Sequence, residues 1–316
     1  MNAIALASTS KISREQWLEF RRQGIGGSDV SAIAGLNRWK SPIEVWMEKT
    51  GQLQDKEVGE AAYWGNVLED VVAREFSRRT GLKVQKRNAI LQHPKHLHML
   101  ANIDRMIVDK DMGRGILECK TANEYKKGEW EEELIPEEYA LQVHHYLAVT
   151  GLKFARIAVL IGGNKFEIRD IERDEEIIEY LVKIESDFWQ LVKSNTPPAM
   201  DGSGSATELL KALYPNSNQA SIELPEAENL VEDFLRFQAM EKEIGTEKDA
   251  VANRIKNLMG ENETAYTLTH KISWKSLTTN RFDTNGFKAA HKDLYNQFVN
   301  ESPSRRFTIG DIKKLK

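Results

Sequence analysis

Apolar positions in the first eighty residues recur every three or four positions, and glycine interrupts them. This spacing predicts amphipathic helices. Ser13 and Gln16 form a capping box ahead of the first helix, and Ser28 is expected to cap the second. The pattern predicts helices over residues 13–23, 30–35, 41–50 and 59–80. In the last of these, Glu69 lies at the edge of the apolar stripe, so its carboxylate can face inward.

The period then changes to two, which is typical of strands. Strands are expected over 82–91, 97–108 and 115–121, and a hairpin over 154–161 and 165–171, with helices over 136–150 and 174–193. The alternation of helix and sheet indicates an α/β or α+β domain, and about 195 residues is enough for a full core.

Residues 194–205 are rich in Ser, Gly, Asn and Pro and read as a linker or tight loop. We therefore expect one domain over 1–195 and a C-terminal extension over 196–316. The extension is predicted to contain a long polar helix over 227–259, a strand pair within 264–282 and a short helix over 286–291. It ends in the basic residues Lys313, Lys314 and Lys316.

Composition is that of a globular protein. Of 316 residues, 41% are hydrophobic and 29% are charged, which excludes a disordered, collagen-like or coiled-coil chain as a whole. The sequence has no apolar run long enough to span a membrane and no secretory signal, so we expect a cytoplasmic protein without a membrane partner. A single cysteine, Cys119, excludes an internal disulfide and any metal site with several thiolates.

The net charge of −4 counts mildly against binding of nucleic acid by bulk charge. A local basic face, or an acidic site filled by divalent cations, remains compatible with it.

Three residues in the predicted strands have the chemistry of a metal-dependent phosphodiesterase. Glu118 and Lys120 are two apart and share one face of their strand, and Asp104 is expected in the neighbouring strand. Adjacent carboxylates suit Mg²⁺, and the backbone carbonyl of Cys119 is a further candidate ligand. Lys120 can orient or deprotonate a water molecule, or offset charge on the transition state. Taken alone, Glu118 and Lys120 are more typical of a solvated cross-strand ion pair than of a metal site.

A predicted helix carries a second polar pair. Gln142 and Tyr146 are one turn apart and share a face with Tyr139. They can present an amide and a phenol to the acidic residues. The alternative is a helix that buries Tyr146 and exposes Gln142.

These residues together resemble a known superfamily. Asp104, Glu118 and Lys120, preceded by Glu69 and followed by Gln142 and Tyr146, are similar to the D…ExK core of the restriction-endonuclease-like nucleases, in the branch with a Q-x-x-x-Y helix. Within that branch, the segments Trp17–Asp29 and Trp64–Glu69 resemble the YqaJ-like viral recombinases, relatives of phage lambda exonuclease. The resemblance spans residues 10–195.

The resemblance implies a restriction-endonuclease-like fold, with a central mixed sheet flanked by helices and a helical and β-hairpin C-terminal extension. It implies a Mg²⁺-dependent exonuclease, with Mn²⁺ as an alternative and two ions per site, that digests one strand of linear double-stranded DNA from the 5′ end. The 3′ single-stranded tails would serve recombination by a single-strand annealing protein. Such enzymes are commonly homotrimeric rings, and the extension is a candidate arm for oligomer contacts or partner docking.

The resemblance also implies a role for each matched residue. Asp104 and Glu118 would bind metal, Lys120 would be the catalytic lysine, and Glu69 and Gln142 would assist, Glu69 through metal-bound water. Tyr146 would support them. Arg21 and Ser28 would receive the 5′ phosphate.

The phosphate assignment has a physical basis as well, because the glycine-rich turn before Ser28 leaves backbone N–H groups free and Arg21 can make a bidentate contact. The alternative is an ordinary helix-capping turn. Two further functions remain open: an endonuclease or helicase-associated nuclease of the same superfamily, and a non-catalytic module that binds DNA ends.

Overall fold

The computed structural model describes residues 3–53, 59–218, 220–300 and 305–310. The chain divides into two compact units, Met1–Leu213 and Tyr214–Lys316. This boundary falls later than residue 195, because Ala206 and Leu209 are buried within the first unit. The predicted basic end at Lys313, Lys314 and Lys316 lies outside the described residues.

Seven helices and nine strands are described in the first unit. The helices are α1 (Arg14–Arg22), α2 (Gly27–Ile33), α3 (Pro42–Lys49), α4 (Glu60–Thr80), α5 (Glu137–Thr150), α6 (Glu175–Lys193) and α7 (Gly204–Leu213). The strands are β1 (Ile4–Ala7), β2 (Ile25–Gly26), β3 (Lys83–Lys86), β4 (Ile90–Gln92), β5 (Met99–Ala101), β6 (Arg105–Asp109), β7 (Gly113–Ala122), β8 (Phe154–Ile161) and β9 (Lys165–Glu172).

The central sheet has five strands in the order β3-β6-β7-β8-β9. Strands β7 and β8 are parallel, with α5 between them in the chain, and the other pairs are antiparallel. Ile116 of β7 packs in the same core as Val143 of α5, whereas Leu117 packs in the core that contains Val72 of α4. The predicted mixed sheet flanked by helices is confirmed.

A second, four-stranded sheet has the order β1-β4-β5-β2. Its strand β2 runs parallel to β5, with Ile25 opposite Met99, and leads directly into α2. This pairing fixes the position of the glycine-rich segment against the rest of the unit.

Two strand predictions and one cap prediction were wrong in detail. The segments 82–91 and 97–108 each form two strands, because β3 and β6 belong to the five-stranded sheet whereas β4 and β5 belong to the other. Asp104 consequently lies in the bend just before β6 and not within a strand. The cap of α2 is Gly26, whose N–H donates to Asp29, so Ser28 lies inside the first turn.

The second unit is built around one long helix, α8 (Glu228–Met259). It is followed by the antiparallel hairpin β10 (Thr264–Tyr266) and β11 (Lys271–Ser273), and by the short helices α9 (Thr284–Ala290) and α10 (Lys292–Gln297). The expected helical and hairpin extension is therefore observed. Among the described residues, no helix has the length and apolar character needed to cross a membrane.

Candidate active site

Strand β7 presents Glu118 and Lys120 on the face of the sheet that packs against α5. The Lys120 ammonium lies 2.7 Å from Glu118 Oε1, and Gln142 Nε2 of α5 donates to the same oxygen at 2.7 Å. Lys120 Nζ also donates to Gln142 Oε1 at 3.0 Å. Glu118 is 2% exposed and Gln142 8%, whereas the Lys120 side chain keeps 19% exposure, so the network is largely buried and is not a solvated ion pair.

Asp104 adjoins this network from the bend before β6. Its Oδ2 accepts a hydrogen bond from the backbone N–H of Cys119 at 2.8 Å. Cys119 stands between Glu118 and Lys120 in β7, so the Asp104 carboxylate lies beside this part of the strand. Burial and the nearby charge of Glu118 raise the pKa of Asp104 well above its usual range. Burial opposes the charge on Lys120, but Glu118 and Asp104 outweigh it, so the pKa of Lys120 is raised.

One carboxylate oxygen in this site lacks a partner. Glu118 Oε2 is buried and accepts no hydrogen bond in the structure. Burying a carboxylate oxygen unpaired is costly, and a cation shared with Asp104 would remove the cost and the mutual repulsion. No group of three or more Asp, Glu, His or Cys side chains within the described ranges is spaced to hold a metal ion. The adjacent carboxylates of Asp104 and Glu118, with Oε2 of Glu118 unpaired, fit an ion such as Mg²⁺, which takes one or two carboxylates and fills its other positions with water and phosphate oxygens.

Glu69 reaches the edge of the site from α4, where Arg105 holds it. The Arg105 side chain is 5% exposed and pairs with Glu69 and with Asp70. Glu69 also contributes to the raised pKa of Asp104, so its carboxylate lies near the acidic pair. Sequence reasoning missed Arg105, although an arginine inside the apolar run 103–108 is a sign of a buried ion pair.

Helix α5 buries both members of the predicted polar pair. Gln142 is 8% exposed and Tyr146 is 5% exposed, and Gln142 Nε2 lies 2.9 Å from the Tyr146 hydroxyl. Burial and the charges of Glu118 and Asp104 raise the pKa of Tyr146 well above its usual range, so the phenol stays neutral. The alternative with an exposed Gln142 is wrong.

Arg21 and Ser28 come together beside a cleft of about 190 Å³. Arg21 Nη2 donates to Ser28 Oγ at 3.1 Å, and the guanidinium stacks over Trp17 at 5.0 Å. The cleft is lined by these three residues, by the glycine-rich turn and by Tyr146. Arg21 and Tyr146 therefore line the same cleft, and the Tyr146 hydroxyl is hydrogen-bonded to Gln142.

Asp29 is the centre of a buried charge cluster that sequence reasoning missed. Its carboxylate lies 2.6 Å from Lys49 Nζ, 3.1 Å from Lys40 Nζ and 3.3 Å from Arg21 Nη2, and it is fully buried. Burial opposes its charge, but Lys49, Lys40 and Arg21 together hold the pKa of Asp29 well below its usual range. Asp29 therefore fixes the position of Arg21.

Gly27 brings this turn into contact with the acidic site. A Cβ at this position would lie 2.5 Å from Tyr146 Cε1 and 3.0 Å from Gln142 Cγ. The backbone of α2 packs so closely on α5 that only glycine fits without a shift. The predicted phosphate-binding residues and the predicted catalytic residues are therefore parts of one packed assembly.

A further buried pair lies beneath α5. His145 Nδ1 is 2.9 Å from Glu185 Oε1 and His145 Nε2 is 2.8 Å from the carbonyl of Leu100. Burial opposes the charge on His145, but Glu185 outweighs it and raises the pKa of His145. The pair ties α5 to α6 and to β5.

Comparison with known proteins identifies the family of this chain. The family model for the YqaJ-like viral recombinase domain matches residues 16–153, a segment that contains every predicted site residue. The protein YqaJ of Bacillus subtilis (strain 168) is 44% identical over 316 residues, and the match covers 98% of each chain. The chain belongs to the YqaJ family.

Two solved structures are similar to this YqaJ-family chain. The alkaline exonuclease LHK-Exo of Laribacter hongkongensis has a TM-score of 0.49 and 20% identity, over 63% of this chain and 97% of that one. A phage-related exonuclease of Haemophilus somnus 129PT has a TM-score of 0.41 and 14% identity, over 57% of this chain and 99% of that one.

Proposed function

We propose that this YqaJ-family protein is a metal-dependent exonuclease that degrades linear double-stranded DNA. The observation that carries the proposal is the buried network of Glu118, Lys120 and Gln142 beside Asp104, with one carboxylate oxygen unpaired. Buried acids without a cation would repel a phosphodiester. The same acids around a divalent cation would attract one, and membership of a viral recombinase family supports DNA as the substrate.

Asp104 and Glu118 would hold the ion, with the backbone carbonyl of Cys119 as a further ligand and Glu69 contributing through water. We propose Mg²⁺, with Mn²⁺ able to replace it and two ions in each site. When bound, the ion polarises the phosphorus–oxygen bonds of the scissile phosphodiester.

Lys120 is proposed to act on the same phosphate. An ammonium group has three donors, so Lys120 can contact a phosphate oxygen or the attacking water while it remains bound to Glu118 and Gln142. Its charge would offset the negative charge that develops in the transition state. Gln142, held by the Tyr146 hydroxyl, keeps both Glu118 and Lys120 in place.

The Arg21 cleft is the basis for proposing that digestion begins at the 5′ end. Arg21 and Ser28 would receive the terminal 5′ phosphate, favoured by the one positive charge by which Lys40, Lys49 and Arg21 exceed Asp29 and Glu48. Digestion in the 5′-to-3′ direction would leave 3′ tails for a single-strand annealing protein, and the working enzyme is proposed to be a homotrimeric ring.

The test is digestion of a linear duplex labelled separately at its 5′ and 3′ ends, with phosphate or hydroxyl 5′ termini, in Mg²⁺ and in EDTA. We expect Mg²⁺-dependent release of the 5′ label first, faster from phosphate ends, and no reaction on closed circles. Cleavage of circles would indicate an endonuclease instead. Binding without release would indicate a module that only binds DNA ends.

A further inference from the structure

The second unit exposes most of its apolar side chains. Among its described residues, Met259 is the single fully buried hydrophobic side chain. Helix α8 alone exposes Leu230 at 71%, Ile244 at 64% and Leu258 at 87%. An exposed apolar surface along a 32-residue helix is typical of a binding surface for another helix.

Seven of the nine exposed large apolar side chains described in α8 fall on one regular spacing, and Leu235 and Met240 lie off it. Beginning at Leu230, the positions of this spacing recur alternately after four and three residues as far as Leu258. We call these positions the α8 seam: residues 230, 234, 237, 241, 244, 248, 251, 255 and 258. All are apolar except Glu241 and Lys248. A spacing of 3.5 residues sustained over four heptads is the pattern of a helix that packs along another helix in a coiled coil.

The two charged residues in the seam favour an antiparallel over a parallel pair of identical helices. Glu241 and Lys248 lie one heptad apart, on either side of Ile244. In a parallel pair of identical helices, Glu241 would face Glu241 and Lys248 would face Lys248. In an antiparallel pair, each Glu241 instead comes within one layer of Lys248 of the second copy.

We propose that the α8 seam binds a second copy of this chain as an antiparallel coiled coil, a two-fold contact separate from the three-fold contacts of the proposed ring. The flanking charges set the register, because Asp233 and Arg254 border the seam on the same side, toward its opposite ends. Antiparallel pairing that places Leu230 opposite Ile255 of the other copy brings each Asp233 beside Arg254 of that copy. In the isolated chain Asp233 pairs with Arg236 on the surface, at 2.7 Å, which is a weak and replaceable contact.

The first experiment measures particle mass of the full-length protein by sedimentation velocity. The double variant Ile244→Asp and Ile255→Asp places two charges in the seam, and we expect its particle mass to fall twofold. The matched control, Thr246→Asp and Asn253→Asp, adds the same charges on the opposite face of α8 and should keep the wild-type mass. An unchanged mass in the seam variant, with α8 still helical by circular dichroism, would overturn the proposal.

The second experiment tests orientation through disulfide formation and does not depend on disrupting the seam. In the full chain, the double variant Leu230→Cys and Ile255→Cys should form covalent dimers on mild oxidation, whereas each single variant should stay monomeric on a denaturing gel. The wild-type chain, with Cys119 alone, is the control for background oxidation. Dimers from the single variants would show parallel pairing, and no dimers from any variant would refute pairing through the seam.

Discussion

The buried carboxylate of Asp29 should contribute strongly to the stability of the first unit. Lys49 has a side chain only 2% exposed, and its ammonium is 2.6 Å from Asp29. The substitution Asp29→Asn keeps the shape of the side chain and an oxygen that can still accept the hydrogen bond from Gly26. What it removes is the negative charge that Lys49, Lys40 and Arg21 share.

The expected cost follows from burial. Removing one partner of a buried ion pair leaves an uncompensated charge and typically costs ~3–5 kcal/mol. Lys40 has a second acceptor in Glu48, at 2.5 Å, and the side chain of Arg21 is 33% exposed, so these two cations lose little. Most of the loss therefore comes from Lys49, whose remaining hydrogen bond is to the carbonyl of Arg21 at 2.9 Å.

Urea denaturation of the two variants measures this cost. We expect Asp29→Asn to lower the free energy of unfolding by ~3–5 kcal/mol, and Asp29→Asn with Lys49→Met to recover most of the loss, because no buried charge is then unpaired. A loss below ~1 kcal/mol in the single variant would refute the reasoning.

The dependence on pH provides an independent check. The pKa of Asp29 is lowered in the folded state, so its stabilising effect is complete above its unfolded pKa of ~3.9 and is lost as the pH falls through the lower folded value. The gap between wild type and Asp29→Asn should therefore be constant above about pH 4 and close in more acidic solution.

Three further predictions concern the site. Lys120→Met should slow hydrolysis at least ~10²-fold, since a charge beside the phosphate is lost, but keep DNA-end binding in a gel-shift assay; wild-type turnover would contradict the role. Arg21→Ala should abolish the preference in hydrolysis rate for 5′-phosphate over 5′-hydroxyl ends. An equal loss of rate on both kinds of end would refute the phosphate pocket. Gly27→Ala should destabilise by ~1–3 kcal/mol and lower turnover, because its Cβ would collide with Tyr146, while Gly128→Ala, with open space around it, should change neither.

Local signals in the sequence predicted most helix ends. The capping box at Ser13 and the glycines at 81 and 151, both with positive φ, end or begin helices as expected. The bounds of the strands were harder to predict, because a run of alternating apolar and polar residues does not show where the chain crosses from one sheet to another. Segment 97–108 is such a case, and Asn102 to Asp104 form the crossing.

In the site, sequence patterns found residues whose partners are close in the chain or share a strand face. Glu118 with Lys120 and Gln142 with Tyr146 are of this kind. Arg105 is bound to Glu69 across 36 positions, so its partner was not visible. The role of Asp29 was not visible either, because its partners Lys40 and Lys49 lie 11 and 20 positions away in the chain.

The proposed polarity depends on a fixed distance between the Arg21 cleft and the acidic residues, and three contacts secure it. Ile25 pairs with Met99 of β5, Gly27 packs against Tyr146, and His145 ties α5 back to β5 through the carbonyl of Leu100. These contacts form a closed loop from β2 through α2 to α5 and back through β5. With the terminal phosphate held by Arg21, the scissile phosphodiester would thus lie at one constant distance from that phosphate and beside the carboxylates, and the enzyme would advance along the strand without a moving part between end recognition and hydrolysis.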